Sequence, residues 1–201
     1  ENADMKDRIL MEKVPSSERF LTDIISAMRD FRVIRLCYQS FRHPEPFCFN
    51  VRPYCVKYFK QRWYLLGDSD LGLRIYSLDR FVDMEELEEH FEIPKGFDAE
   101  EYFGNYFGVI IGEEPEDVKI RVVPDQVKYF RTLPMHGSQR ETAQEDGSSV
   151  FSYHIAPTLD FVQEILSHGA DVEVLEPAEL RESIADIIAG MASRYGLPVS
   201  R

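Results

Sequence analysis

No stretch of the chain stays apolar for the roughly 18 residues that a membrane-crossing helix requires, which excludes a helical membrane protein. The first residues are charged (Glu1, Asp4, Lys6, Asp7, Arg8) where a secretory leader would be apolar, so no membrane partner and a cytoplasmic location are expected. Cysteine is scarce. Cys37, Cys48 and Cys55 are odd in number and lack C-x-x-C spacing, so the sequence supports neither a disulfide framework nor a zinc knuckle, and a reducing setting is expected. Catalytic signatures are missing too: there is no G-x-S-x-G, no H-E-x-x-H, no Gly-rich phosphate loop and no EF-hand spacing. The five histidines are dispersed, with no pair at i, i+3 or i, i+4. The reading is therefore of a chain that is not an enzyme and holds no metal or cofactor.

What is present is globular. A hydrophobic share of 44% and an aromatic share of 12% are too high for a disordered chain, and 201 residues suffice for one or two domains with cores of their own. Net charge is −13, which taken whole argues against polyanion binding, but the charge is blocked. Residues 29–80 hold ten Lys/Arg against five Asp/Glu, net +5, whereas residues 81–120 hold two against thirteen, net −11. The basic block is where an anionic ligand would be sought.

Apolar residues at helical spacing (Phe20, Leu21, Ile24, Ile25, Met28, Phe31) predict one amphipathic helix, entered after Pro15 with a candidate cap at Ser16 or Ser17. The polar start, 1–13, has no core of its own and reads as the tail of something longer. From residue 33 the pattern changes to short alternating runs over 33–38, 47–59, 62–67 and 73–78. Lys60-Gln61 marks a hairpin tip and Pro53 a bulge or edge. Four or five strands in so short a span predict a small barrel. The run Asp83-Met84-Glu85-Glu86-Leu87-Glu88-Glu89 reads as a solvated acidic connector. From Val118 the order becomes β-α-β-β-α-β with a closing helix over 177–195, turning at Glu145-Asp146-Gly147, which predicts a split sheet with helices on one side. The resulting division is 1–32 helical segment, 33–82 barrel, 83–117 connector and 118–201 α/β module.

The residues that suggest chemistry are Arg35, Arg52, Lys57, Arg62, Arg74 and Arg80, interleaved with Tyr38, Tyr54, Tyr58, Tyr64 and Tyr76. A guanidinium fork matches phosphate oxygens and keeps its charge, while an aromatic ring offers a base a stacking surface. Parity along a strand places Trp63 and Leu65 on one face, read as core, and leaves Tyr64 on the other. Over 74–80 strict alternation would mix charged and apolar side chains, so a bulge or strand end is expected near Leu78. Cys37 sits in an apolar run and is read as an inert core thiol rather than a nucleophile paired with His43.

The runs Arg52-Pro53-Tyr54, Arg62-Trp63-Tyr64-Leu65-Leu66-Gly67 and Arg74-Ile75-Tyr76-Ser77-Leu78-Asp79-Arg80-Phe81 resemble the WYL domain of bacterial transcriptional regulators. Gly169-Ala170-Asp171-Val172-Glu173-Val174-Leu175-Glu176-Pro177 and Leu180-Arg181 resemble the extension that follows such domains. The resemblance implies an α+β chain: an N-terminal helix with a small SH3/Sm-like β-barrel, then a ferredoxin-like α/β module. It implies a sensory and oligomerisation region whose effector is a nucleotide or single-stranded nucleic acid, acting on operator DNA only through a winged helix-turn-helix not contained in this sequence. Carried over by position, Arg52, Tyr64, Arg74 and Arg80 match the family's polar pocket, although many members have a further basic residue where this chain has Ser77. A homodimer is expected from the symmetry of such regulators' DNA sites. The alternative is a protein–protein interaction module with no nucleic-acid ligand.

Overall fold

The computed structural model describes residues 18–112 and 114–198, and the chain divides into two compact units between Phe97 and Asp98. Pro15, the candidate caps Ser16 and Ser17 and the polar start at 1–13 lie outside the described residues.

The first unit opens with helix α1 (Leu21–Arg29), which buries Ile24 and Ala27 and carries Asp23 in its first turn and Arg29 in its last, each charge suited to its end of the helix dipole. The five strands β1 (Arg32–Tyr38), β2 (Phe47–Phe59), β3 (Arg62–Ser69), β4 (Gly72–Ser77) and β5 (Phe81–His90) form one antiparallel sheet in the order β4-β3-β2-β1-β5. Lys60 and Gln61 take positive φ at the β2–β3 tip, and the register slips between Pro53 and Cys55, where proline cannot donate to the ladder. β4 ends at Ser77, and Leu78–Arg80 form a 3-10 turn that swings the chain from one edge of the sheet to the other.

Two expectations are corrected here. The sheet does not close into an SH3/Sm-like barrel: β4 and β5 are its free edges, and the structure is an α+β fold with two open antiparallel sheets. The acidic run at 83–89 is not a connector but lies within β5, paired to β1 on one side only. Met84 and Leu87 are half-buried while Asp83, Glu85, Glu86, Glu88 and Glu89 stay exposed. A row of carboxylates keeps that edge solvated and disfavours further strand pairing, which is the physical reason the sheet stays open.

The second unit contains α2 (Ala99–Phe103), β6 (Glu116–Val122), α3 (Pro124–Thr132), β7 (Arg140–Ala143), β8 (Ser149–Ile155), α4 (Leu159–Ser167), β9 (Val172–Glu176) and α5 (Ala178–Arg194). Its strands run antiparallel in the order β7-β8-β6-β9. Period-two alternation drives Val118, Ile120 and Val122 of β6 and Phe151, Tyr153 and Ile155 of β8 onto one face, where Val127, Phe130, Phe161, Val162 and Ile165 of α3 and α4 cover them. Asp160 of α4 fixes the incoming chain: its Oδ2 accepts from the backbone N–H groups of Val109 (2.8 Å) and Ile110 (2.9 Å).

Candidate functional site

The register of the first sheet decides where the four predicted site residues fall. Arg52 of β2 lies opposite Asp68 of β3, and Tyr64, four residues earlier on β3, shares that face between Lys57 and Ser77. Arg74 of β4 lies opposite Gly67, hence on the other face. Arg80 leaves the strands altogether and sits on the 3-10 turn. The structure thus separates the three guanidiniums and does not gather them around the Tyr64 phenol.

Each guanidinium has its own surroundings. Arg52 forms an ion pair with Asp68 (Nη1 to Oδ2, 3.2 Å), with both side chains about a third exposed. Arg74 is exposed, donates from Nε to the Leu71 carbonyl (3.0 Å) and lines a hollow of about 580 Å³ with Leu71 and residues 43–47. Arg80 stacks its guanidinium 3.8 Å from the centroid of Phe41, lining a smaller hollow of about 170 Å³ with Gln39, Asp79, Phe81 and Val82. The Arg80 Nε is buried and has no hydrogen-bond partner among the described residues. Phe41 itself is 78% exposed. A cation held over a solvent-facing ring gives a ligand both charge and a planar surface.

Asp79 sets the Arg80 position. It accepts from Arg62 Nη1 (2.8 Å) and from the Ser77 hydroxyl, which ties the 3-10 turn to β3 and to the end of β4. Ser77 is a buried donor to that carboxylate.

Most of the tyrosines are structural. Tyr38 and Tyr76 are buried and meet edge to face at 5.5 Å, and burial pushes the Tyr76 phenol up. They belong to a continuous aromatic column of His43, Phe47, Phe49, Tyr76, Tyr38, Phe81 and Phe20, each ring 5.2 to 6.1 Å from the next, running from the lip of the larger hollow to the residue before α1. Trp63 packs at the core edge and Leu65 is fully buried, as parity predicts. Tyr58 leans on Trp63 at 5.0 Å.

The sequence reading missed the loop between β1 and β2. Residues 39–46 are there only the gap between the runs 33–38 and 47–59, yet they supply Gln39 and Phe41 to one hollow and residues 43–46 to the other. The available signal was aromatic: Phe41 and Phe47 bracket a turn, where large apolar side chains are out of place unless they meet something. The cysteine reading is also corrected. Cys37 and Cys48 face each other across β1 and β2, with Cα atoms 4.0 Å apart, and are joined by a disulfide. Cys55 is a free thiol that burial pushes up, as expected of an inert one. Among the described residues no His/Cys/Asp/Glu group has metal-holding geometry, and no helix is long and apolar enough to cross a membrane.

Comparison with known proteins places these units. The WYL domain family matches residues 19–86 and the WCX domain family residues 114–192. Protein PafB of Mycobacterium tuberculosis and of Mycobacterium bovis is 27% identical over 189 residues, covering 90% of this chain and 54% of the relative, so the chain spans about half the length of those proteins. Among solved structures, a CRISPR Cas-related protein shares the fold (TM-score 0.52, 16% identity, 88% of this chain and 51% of that one). Proteasome accessory factor B/C of Arthrobacter aurescens also aligns, at 20% identity and TM-score 0.37, over 92% of this chain and 28% of that one. With one domain family matching within the first unit and the other within the second, this chain is a WYL-domain protein related to PafB-type transcriptional regulators.

Proposed function

We propose that the first unit is the effector-binding part of a transcriptional regulator and takes an anionic ligand bearing a planar ring, a nucleotide or a single-stranded nucleic acid, at the two hollows lined by residues 39–47. The observation that carries this reading is the Arg80 guanidinium lying on the exposed Phe41 ring at the wall of one hollow, with Arg74 exposed at the wall of the other. A base stacks on such a ring and its phosphate meets the cation, each stacked base adding about 1–3 kcal/mol. In this reading Arg74 and Arg80 contact phosphate. Arg52 and Tyr64 lie outside the two hollows, and Arg52 reaches a ligand only by exchanging Asp68 for it.

Occupancy acts on attached DNA-binding segments by favouring one arrangement of the protein over another, which requires the ligand to bind the two arrangements unequally. The second unit serves self-association: α5 leaves Ile187, Ile188 and Met191 exposed at i, i+1 and i+4, an apolar stripe suited to pairing with its copy.

The test is titration of a fluorescently labelled oligothymidylate with wild-type chain and with Arg74→Ala at several salt concentrations. The expected result is binding that weakens as salt rises and is weaker, with a shallower salt slope, in the variant. Binding indifferent to both salt and substitution contradicts the proposal and favours a protein–protein interaction module.

A further inference from the structure

The loop that lines both hollows is closed at its base by a covalent bond. Cys37 is the last residue but one of β1 and Cys48 the second of β2, and the disulfide between them spans eleven positions of sequence, enclosing the whole 39–46 segment. Outside the S–S bond the loop is held by the Tyr38–Phe47 ladder pair, by the Phe41–Arg80 and His43–Phe47 ring contacts and by a few hydrogen bonds. Gln39 N donates to the Arg80 carbonyl (3.0 Å), His43 N to the Ser40 carbonyl (3.4 Å), and the Gln39 side chain bonds within the loop. The register beside it is already irregular, slipping between Cys37 and Tyr38 where β1 meets β5.

Cys48 is exposed and Cys37 half-buried, so a small thiol can reach the bond from the Cys48 side. Accessible disulfides are the ones that exchange readily, whereas buried ones act as permanent staples. Breaking this one leaves the Tyr38–Phe47 ladder pair as the tie at the base of the segment, and the freedom gained falls on Phe41 and on residues 43–47, the walls facing Arg80 and Arg74.

We infer that Cys37 and Cys48 form a reversible thiol–disulfide modification site that sets the order of the loop lining the two hollows, the disulfide state holding them formed and the dithiol state loosening them. The oxidant is a low-molecular-weight disulfide. The Cys48 thiolate attacks one of its sulfurs, forming a mixed disulfide, and the departing thiolate takes up the proton that Cys48 lost. The Cys37 thiolate then attacks the Cys48 Sγ, the protein disulfide forms, and a second small thiol leaves with the Cys37 proton. Two protein thiols and one small disulfide thus become one protein disulfide and two small thiols. A small dithiol reverses the sequence.

The order of the loop is independent of what the hollows bind, whereas the consequence for occupancy rests on the effector reading above, so the test has two arms. The chain is equilibrated across a series of oxidised and reduced dithiothreitol ratios, trapped by alkylation and weighed by mass spectrometry, with amide exchange followed in parallel. The expected result is interconversion of the 37/48 pair between disulfide and dithiol. Exchange at Gln39 and His43 should be about tenfold faster in the dithiol, with Leu65 and Leu66 unchanged. A Cys37→Ser/Cys48→Ser chain should exchange as the dithiol does, at every ratio. Thiols that never pair, or loop amides that exchange equally in both states, overturn the inference. In the second arm labelled oligothymidylate should bind the disulfide form about threefold or more tightly than the dithiol. Equal affinity overturns the link to occupancy. If neither form binds, the effector reading has failed, that link fails with it, and the exchange arm still decides the loop.

Discussion

At the scale of single residues, the cations of the first unit differ in what they are free to do. Arg52 and Arg62 face carboxylates, whereas Arg80 lies on a ring and Arg74 is tied by one backbone carbonyl. Parity along β3 found Tyr64 on the face opposite the core, but alternation within one strand cannot say which residues of its neighbours join it. That depends on register, and register put Arg74 on the other face. In the second unit Glu141 is strongly altered by its neighbours. It accepts two hydrogen bonds from Arg131 (2.7 and 2.8 Å) and one from Ser149 (2.6 Å), which hold its carboxyl well below the usual 4.5, at about 2. The folded pKa lies below the unfolded one, so the stabilisation is complete above about pH 4.5 and is lost as pH falls from there towards about 2. Because the pair is solvent-screened, its contribution is small. Thermal unfolding followed against pH should show Glu141→Gln below wild type near neutrality, with the two converging at the acid end of that window.

At the scale of elements, β8 and α4 of the second unit are readable because each has a clean period, Phe151, Tyr153 and Ile155 alternating and Phe161, Val162 and Ile165 recurring towards one side, whereas the short helix α2 lies in a stretch read as connector. β5 was not readable. Its residues are acidic nearly throughout, and only pairing to β1 reveals that such a run is an edge strand rather than a linker. The hairpin of β1 and β2 held a usable clue, since closing it from Tyr38 against Phe47 sets Cys37 opposite Cys48, but counting cysteines without a register discards it. Asp160 shows a side chain organising an element far away in sequence. Its carboxylate holds two backbone donors about fifty positions upstream, and Gly108, at φ +88°, leaves no room beside it for a side chain. Replacement of Asp160 by alanine should cost about 1 kcal/mol in chemical denaturation, because it removes two hydrogen bonds to one carboxylate. Amide exchange at Val109 and Ile110 should rise more than at Val118 or Ile120; uniform acceleration would mean that the whole unit, not the tether, had been weakened.

At the scale of the whole molecule, the charge blocks mattered more than the total. An acidic chain holds a basic segment over 29–80, the segment that carries both hollows, while most of the acid sits on β5 and beyond it. Apart from β5 and α2, the order of elements was legible from periodicity, whereas barrel closure was not, because closure is a property of strand edges and not of strand count. Likewise the residue types for anion binding were visible, but their grouping into hollows around the 39–47 loop depended on a turn with no regular pattern. The central claim is that this loop, with Arg74 and Arg80, is where a ring-bearing anion binds. The most direct test is two-dimensional amide NMR of the chain titrated with a short oligothymidylate, repeated with Arg80→Ala. The account predicts shifts concentrated at residues 39–47, 71–74 and 79–82, with those at 39–41 and 79–82 lost in the variant. Shifts confined to the second unit, or a pattern that Arg80→Ala leaves intact, would contradict it.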